Sequence, residues 1–263
     1  MPKESDLRNA FSRLLYMSSD VYFAKICGYS VTTAFQPIYT IEQKLIGYEA
    51  LLRPFRDNQL EPAPTFLTKM RADPDITFYD RLIRALHLRN FALLNLQSEL
   101  LFLNYEYESI TDLQDIDAYK NLLINRKKEL GIENTQVIIE ILEHDVFSEK
   151  NLKIMSNWHR KNHNILVAMD DMTDRESDWQ RLSNIQPEIV KIDISMLQSA
   201  NYLDFTNRLK QFTPKILQEG IETAEQKALA ISAGVDYLQG YYLGYPTLIE
   251  QMLAPCKSVK TQS

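Results

Sequence analysis

Two cysteines, Cys27 and Cys256, are too few and too far apart in this chain of 263 residues to form a disulfide framework. Seven glycines argue against long flexible linkers or a low-complexity tail. The four histidines, His87, His144, His159 and His163, fall in stretches that read as helices or loops, which argues against a histidine-rich zinc centre. Lys and Arg number 29 against 35 Asp and Glu, so the net charge of −6 lacks the basic surface of a general DNA binder. No apolar run approaches the ~20 residues of a membrane helix, and Met1–Asp6 is too polar for a secretory signal. A reduced, cytoplasmic setting with no DNA and no membrane contact is the expectation. A Ser-His-Asp order, a P-loop and a glycine-rich dinucleotide fingerprint are also missing.

What the chain does have is a core-forming composition, 45% hydrophobic and 24% charged, at a length that α/β barrels reach as one domain. Residues 6–27 carry apolar positions at roughly helical spacing (Leu7, Phe11, Leu14, Val21), which predicts a helix or two and an N-terminal helical extension over 1–30. Strands are expected at 31–39 and 46–53, joined as a hairpin. Pro54, Pro62 and Pro64 mark a loop over 54–63, with helices at 64–70 and 77–94. A strand–helix rhythm follows, with strands at 100–104, 136–142, 165–170, 188–193, 215–219 and 236–240. Helical patterns lie near 116–130, 147–162, 175–184, 199–212, 222–232 and 247–254. Strands alternating with helices imply parallel βαβ units, and this many of them in one chain suggest a closed TIM-like (β/α)8 barrel over 31–255, with 256–263 as a tail.

The stretch Ile165-Leu166-Val167-Ala168-Met169-Asp170-Asp171 concentrates the functional signal. A short apolar run reads as a strand buried on both faces, and it ends in two carboxylates that repel one another. An isolated Asp-Asp is more often a solvated turn. Here the pattern recurs: Asn104, Glu140, Lys191 with Asp193, Glu219 and Gln239 also sit within or at the carboxyl ends of strands, and Glu49 interrupts another apolar run. In a barrel those ends converge on one face, where active sites of this fold lie. A set rich in carboxylates and poor in histidine suits Mg2+ or Mn2+ rather than zinc.

In order along the chain, Gln36-Pro37-Ile38, Gly47-Tyr48-Glu49-Ala50-Leu51-Leu52-Arg53, Asn104, Glu140-Ile141-Leu142-Glu143, Asp170-Asp171, Lys191-Ile192-Asp193, Glu219-Gly220-Ile221-Glu222-Thr223 and Gln239-Gly240-Tyr241 resemble the motifs of the EAL domain, the bacterial cyclic-di-GMP phosphodiesterase module. The resemblance covers roughly residues 31–253. It implies a TIM-like barrel whose first strand is antiparallel, and hydrolysis of cyclic di-GMP to linear pGpG with two Mg2+ or Mn2+ ions. By the same resemblance Glu49, Asn104, Glu140 and Asp170 hold one ion. Asp170 and Asp171 bridge to the second, with Glu219 nearby. Lys191 contacts the attacking water, with Glu49 and Glu219 completing the catalytic group. Gln239 orients the network, Arg53 meets a phosphate and Asp193 a guanine, Gln36 lies on the substrate side, and Glu143 steadies the loop after Asp171.

The chain departs from the family where that loop begins. The family continues Phe-Gly-x-Gly; here Met172-Thr173-Asp174-Arg175-Glu176-Ser177 contains no glycine, so backbone conformations open to glycine become costlier. Glu106 stands where the family has serine, and Pro54 where an aromatic is common. In the family this loop supports the second metal and a homodimer interface. Its alteration therefore allows an alternative: a silent module that acts as a cyclic-di-GMP receptor or binds a regulatory protein partner.

Overall fold

The computed structural model describes residues 4–106, 116–133, 136–141 and 166–254, together with five residues between 153 and 160. Helix α1 (Glu4–Leu14) leads into a hairpin of β1 (Leu15–Ser18) and β2 (Val21–Ile26), then β3 (Tyr29–Thr40), β4 (Leu45–Arg56) and β5 (Gln59–Leu60). Helices α2 (Ala63–Arg71) and α3 (Ile76–Leu93) follow, then β6 (Leu100–Tyr105), α4 (Ile116–Glu129), β7 (Val137–Ile141) and β8 (Leu166–Met172). The remainder runs α5 (Glu176–Ile185), β9 (Ile189–Ile192), a 3-10 turn (Ile194–Gln198), α6 (Tyr202–Leu209), β10 (Lys215–Gln218), α7 (Ala224–Ser232), β11 (Tyr237–Leu238), β12 (Thr247–Leu248) and α8 (Ile249–Leu253). No helix among the described residues is long and apolar enough to cross a membrane.

Strands β3, β4, β6, β7, β8, β9, β10 and β11 close into a barrel, because β3 pairs with both β4 and β11. Strand β3 is antiparallel to both neighbours and the other barrel pairings are parallel, as the resemblance implied.

Side-chain alternation explains why these strands read as continuous apolar runs. One set (Leu101, Leu103, Val137, Ile139, Val167 and Val190 among it) faces the surrounding helices. The other set, Phe102, Ile138, Ala168, Ile189 and Leu217, packs inside the barrel as a separate apolar plug. Two residues beyond each plug member, on the same face of its strand, stand Asn104, Glu140, Asp170, Lys191 and Glu219. The plug is therefore a floor, and the polar residues form the layer directly above it at the carboxyl ends.

Three sequence expectations need correction. The helical reading of 6–27 holds only to Leu14. Val21-Tyr22-Phe23 has strand character, Ser19 and Asp20 turn with φ of 50° and 64°, and β2 pairs antiparallel with β3. The loop expected over 54–63 contains the end of β4, a turn at Asp57 and Asn58 (φ 50° and 62°) and β5. The segment near 247–254 begins as β12, paired with β3, before α8. The helix expected near 147–162 and the tail at 256–263 lie largely or wholly outside the described residues.

Candidate active site

Lys191 is fully buried and surrounded by carboxylates. Its Nζ lies 2.6 Å from Glu140, 2.8 Å from Glu219, 2.9 Å from Asp170 and 3.7 Å from Glu49. Glu49 is also held by Asn104 Nδ2 at 3.0 Å and by Gln239 Nε2 at 2.7 Å, one on each carboxylate oxygen. Burial alone would pull the Lys191 pKa down, but Asp170, Glu140, Glu219 and Glu49 together hold it well above the usual lysine range. Burial, reinforced by Glu49, pushes the Glu140 carboxyl well up; burial, reinforced by Asp170, does the same to Glu219. One ammonium cannot neutralise four carboxylates. Glu140 Oε2 is buried without a hydrogen-bond donor, and Glu140 Oε1 and Asp170 Oδ1 have the shared Lys191 ammonium beside them at 2.6 and 2.9 Å. Oxygens of this kind are what a hard cation satisfies, so the donor set fits a divalent metal.

Adjacent residues of a strand normally point to opposite faces, yet Asp170 and Asp171 serve one centre. The cause is an extra residue in β8: Met169 pairs with Val190 and Met172 with Ile192, so both aspartates oppose the single Lys191. Asp171 takes the left-handed conformation (φ 54°), which aspartate tolerates better than most residues. Oxygens of Asp170, Asp171 and Glu219 consequently lie within 4.8 Å of one another.

The missing glycines after this bulge are not needed here, since no residue from 172 to 177 has positive φ. Side chains hold the loop instead. Asp178 accepts from Thr173 N at 3.1 Å and from its hydroxyl, and Trp179 Nε1 donates to Asp174 at 2.8 Å. Arg181, paired with Asp178, donates to the Asp170 carbonyl at 3.1 Å. Met172 is fully buried in the core outside the barrel.

The remaining expected residues divide. Gln36 pairs in register with Glu49, and its Nε2 reaches the Gly244 carbonyl at 3.4 Å. Arg53 donates to the Leu52 carbonyl and lines a cleft of about 350 Å³ with Glu49, Asn104 and Asp170. Gln36, Glu49, Glu219 and Gln239 line a second lobe of about 260 Å³, so Glu49 stands between the two. Asp193 caps the 3-10 turn, with Oδ1 accepting from Ser195 N and its hydroxyl. It stands beyond the carboxylate cluster around Lys191. Glu143 lies outside the described residues.

The first lobe also contains side chains that the sequence reading did not place in the site. Glu106 is buried, and both its oxygens are held by Arg71 at 2.8 and 3.2 Å. The sequence signal was present, since Glu106 replaces a serine two residues after Asn104 on the same strand face. His87, from α3, is hydrogen-bonded through Nδ1 to the Thr33 hydroxyl at 2.8 Å. Burial, with Arg84 and Arg53 nearby, lowers its pKa to about 3. A base whose pKa is depressed by folding contributes stability above its unfolded value of about 6.5, and loses it as pH falls through the folded value. The His87 ring is therefore expected to stay neutral from pH 8 to 5, with constant NMR ring shifts; a midpoint above pH 5 would contradict this placement.

Comparison with known proteins bears on the family and the fold. The chain is 28% identical over 225 residues to the uncharacterized EAL-domain containing protein YkuI of Bacillus subtilis, an alignment covering 81% of this chain and 54% of YkuI. It is 27% identical over 230 residues to the cyclic di-GMP phosphodiesterase CdgJ of Vibrio cholerae, covering 85% of this chain and 46% of CdgJ. The chain thus spans about half the length of these relatives. In fold it is similar to the YkuI structure in complex with cyclic di-GMP and calcium, with a TM-score of 0.68 at 24% identity over 94% of this chain and 59% of that one. The manganese and cyclic di-GMP complex of Klebsiella pneumoniae BlrP1 gives a TM-score of 0.69 at 21% identity over 86% and 58%. The sequence model of the EAL domain matches residues 28–246, and the chain belongs to the EAL domain family.

Proposed function

We propose that this chain hydrolyses cyclic di-GMP to linear pGpG with the help of divalent metal ions. The observation that carries the reading is the bulge at Asp170-Asp171, which turns two adjacent carboxylates onto a cluster already containing Glu49, Glu140 and Glu219. Glu49, Asn104, Glu140 and Asp170 would hold one Mg2+ or Mn2+, and Asp170, Asp171 and Glu219 a second. When bound, such ions lower the pKa of a water and stabilise charge on phosphate oxygens. Asn104 and Gln239 fix both oxygens of Glu49, so that carboxylate presents one orientation. Lys191 Nζ positions the attacking water from beneath the cluster. Arg53, on the wall of the larger lobe, would meet a phosphate oxygen. Asp193 spends Oδ1 on its cap, which leaves Oδ2 to accept from a guanine N–H. The two lobes on either side of Glu49 match a ligand with a base on each side of its phosphates.

A second reading, a receptor without turnover, is favoured by one feature: Lys191 already supplies a cation within 3.7 Å of four carboxylates. The glycine-free loop does not add to it, because its own side chains hold it without positive φ. Single-turnover assays with Mg2+, with Mn2+ and with a chelator separate the two readings. Metal-dependent pGpG is the expected result. Tight binding without product would establish the receptor, and neither binding nor product would remove both readings in favour of a protein partner.

A further inference from the structure

Beside the smaller lobe, two large aromatic rings stand in solvent. Tyr241 and Tyr245 are 51% and 66% exposed, and their rings stack with centroids 4.7 Å apart and planes 26° from parallel. An exposed aromatic pair leaves apolar ring surface in water that burial would remove, so a ring face kept open beside a cleft is available for a ligand to cover.

The backbone that carries them is held at several points. Leu243 N and Gly244 N both donate to the Gly240 carbonyl at 3.0 Å, Tyr242 N donates to the Ile221 carbonyl at 3.0 Å, and Gln36 reaches Gly244. Gly240 lies so close to Ile221 that a Cβ would fall 2.1 Å from the Ile221 oxygen. The platform is thus presented by a fixed turn. Tyr241 lines the lobe that also contains Glu49, Glu219 and Gln239, and it is an electrostatic neighbour of Arg53 in the other lobe.

We infer that the stacked pair Tyr241–Tyr245 is a platform for one nucleobase of the ligand, an inference that rests on the cyclic-dinucleotide reading above. Every base has a π face, and stacking on an aromatic side chain is worth about a tenfold to hundredfold gain in affinity per base. Tyr245 would act by backing Tyr241 and fixing its plane, and Tyr241 would meet the base.

The test is equilibrium binding in Ca2+ of cyclic di-GMP, and of a cyclic dinucleotide with one guanine replaced by 2-aminopurine, whose fluorescence stacking quenches. The double variant Tyr241→Ala/Tyr245→Ala is expected to bind cyclic di-GMP about tenfold to a hundredfold more weakly and to lose the quench. The double phenylalanine variant is expected to keep both, since only the ring faces are used. Melting curves confirm that the alanine variant folds. A dissociation constant within twofold of wild type, or an unchanged quench, would overturn the platform while leaving the function intact. Absence of wild-type binding would overturn the functional reading and the platform with it.

Discussion

Glu49→Ala is expected to lower cyclic di-GMP turnover by about 1,000-fold or more. Glu49 is where three supports meet: Asn104 on one oxygen, Gln239 on the other, and the Lys191 ammonium beyond. It also stands between the two lobes, so its loss disturbs metal holding and substrate placement together. Glu49→Gln keeps the volume and removes the charge, and a similar loss in that variant assigns the effect to the carboxylate. Turnover within tenfold of wild type in both variants would remove Glu49 from the catalytic group.

Lys191→Met should be the most destabilising single change at the site in metal-free protein. It leaves Glu140 fully buried and Asp170 nearly so, without their counter-charge, and breaking a buried ion pair this way costs about 3–5 kcal/mol. For a domain of this size that corresponds to a fall in Tm of roughly 10 °C. The pH dependence has a definite sign. Lys191 has a raised folded pKa, so its contribution is complete below the unfolded lysine value and is lost only as pH rises through the folded one. Glu140 and Glu219 are raised as well. Stability linked to them is complete below about pH 4.5 and declines as pH rises through their folded values. With Lys191 gone, no other ion pair to Glu140 or Glu219 remains among the described residues, and metal-free Lys191→Met is expected to be more stable at pH 5.5 than at pH 8. Adding Mn2+ should raise its Tm at pH 8. Melting curves with and without chelator check both points. A fall in Tm below 2 °C, or no change between the two pH values, would contradict the role of Lys191 as the internal cation of the cluster.

The barrel was legible because its strands carry two kinds of information at once. Leu100-Leu101-Phe102-Leu103 and Leu166-Val167-Ala168-Met169 are apolar on both faces, as only strands covered on both sides can be, and a polar residue ends each run. The N-terminal hairpin was not legible in this way. Phe11 and Val21 both fit a helical period, but Val21 is buried in β2, which turns into β3 through Cys27 and Gly28 in the left-handed conformation, a strand pairing that helical periodicity does not register. Asp193 shows the same limit at the site: its place in a Lys-Ile-Asp run suggested ligand contact, and its observed work includes capping the turn that follows.

From the sequence alone came the barrel class, the antiparallel first strand by resemblance, and the identity of the carboxylates at the strand ends. The strand period and the motif order carry those features locally, and no partner is needed to read them. Tertiary structure decided how the groups meet. The extra residue in β8 points Asp170 and Asp171 to one centre, Lys191 rises from β9 among four carboxylates, and Asp178, Trp179 and Arg181 hold a loop that lacks its glycines. Each of these depends on register between strands or on contacts with a following helix. A linear chain does not specify such distances until the sheet closes and fixes which residues face one another.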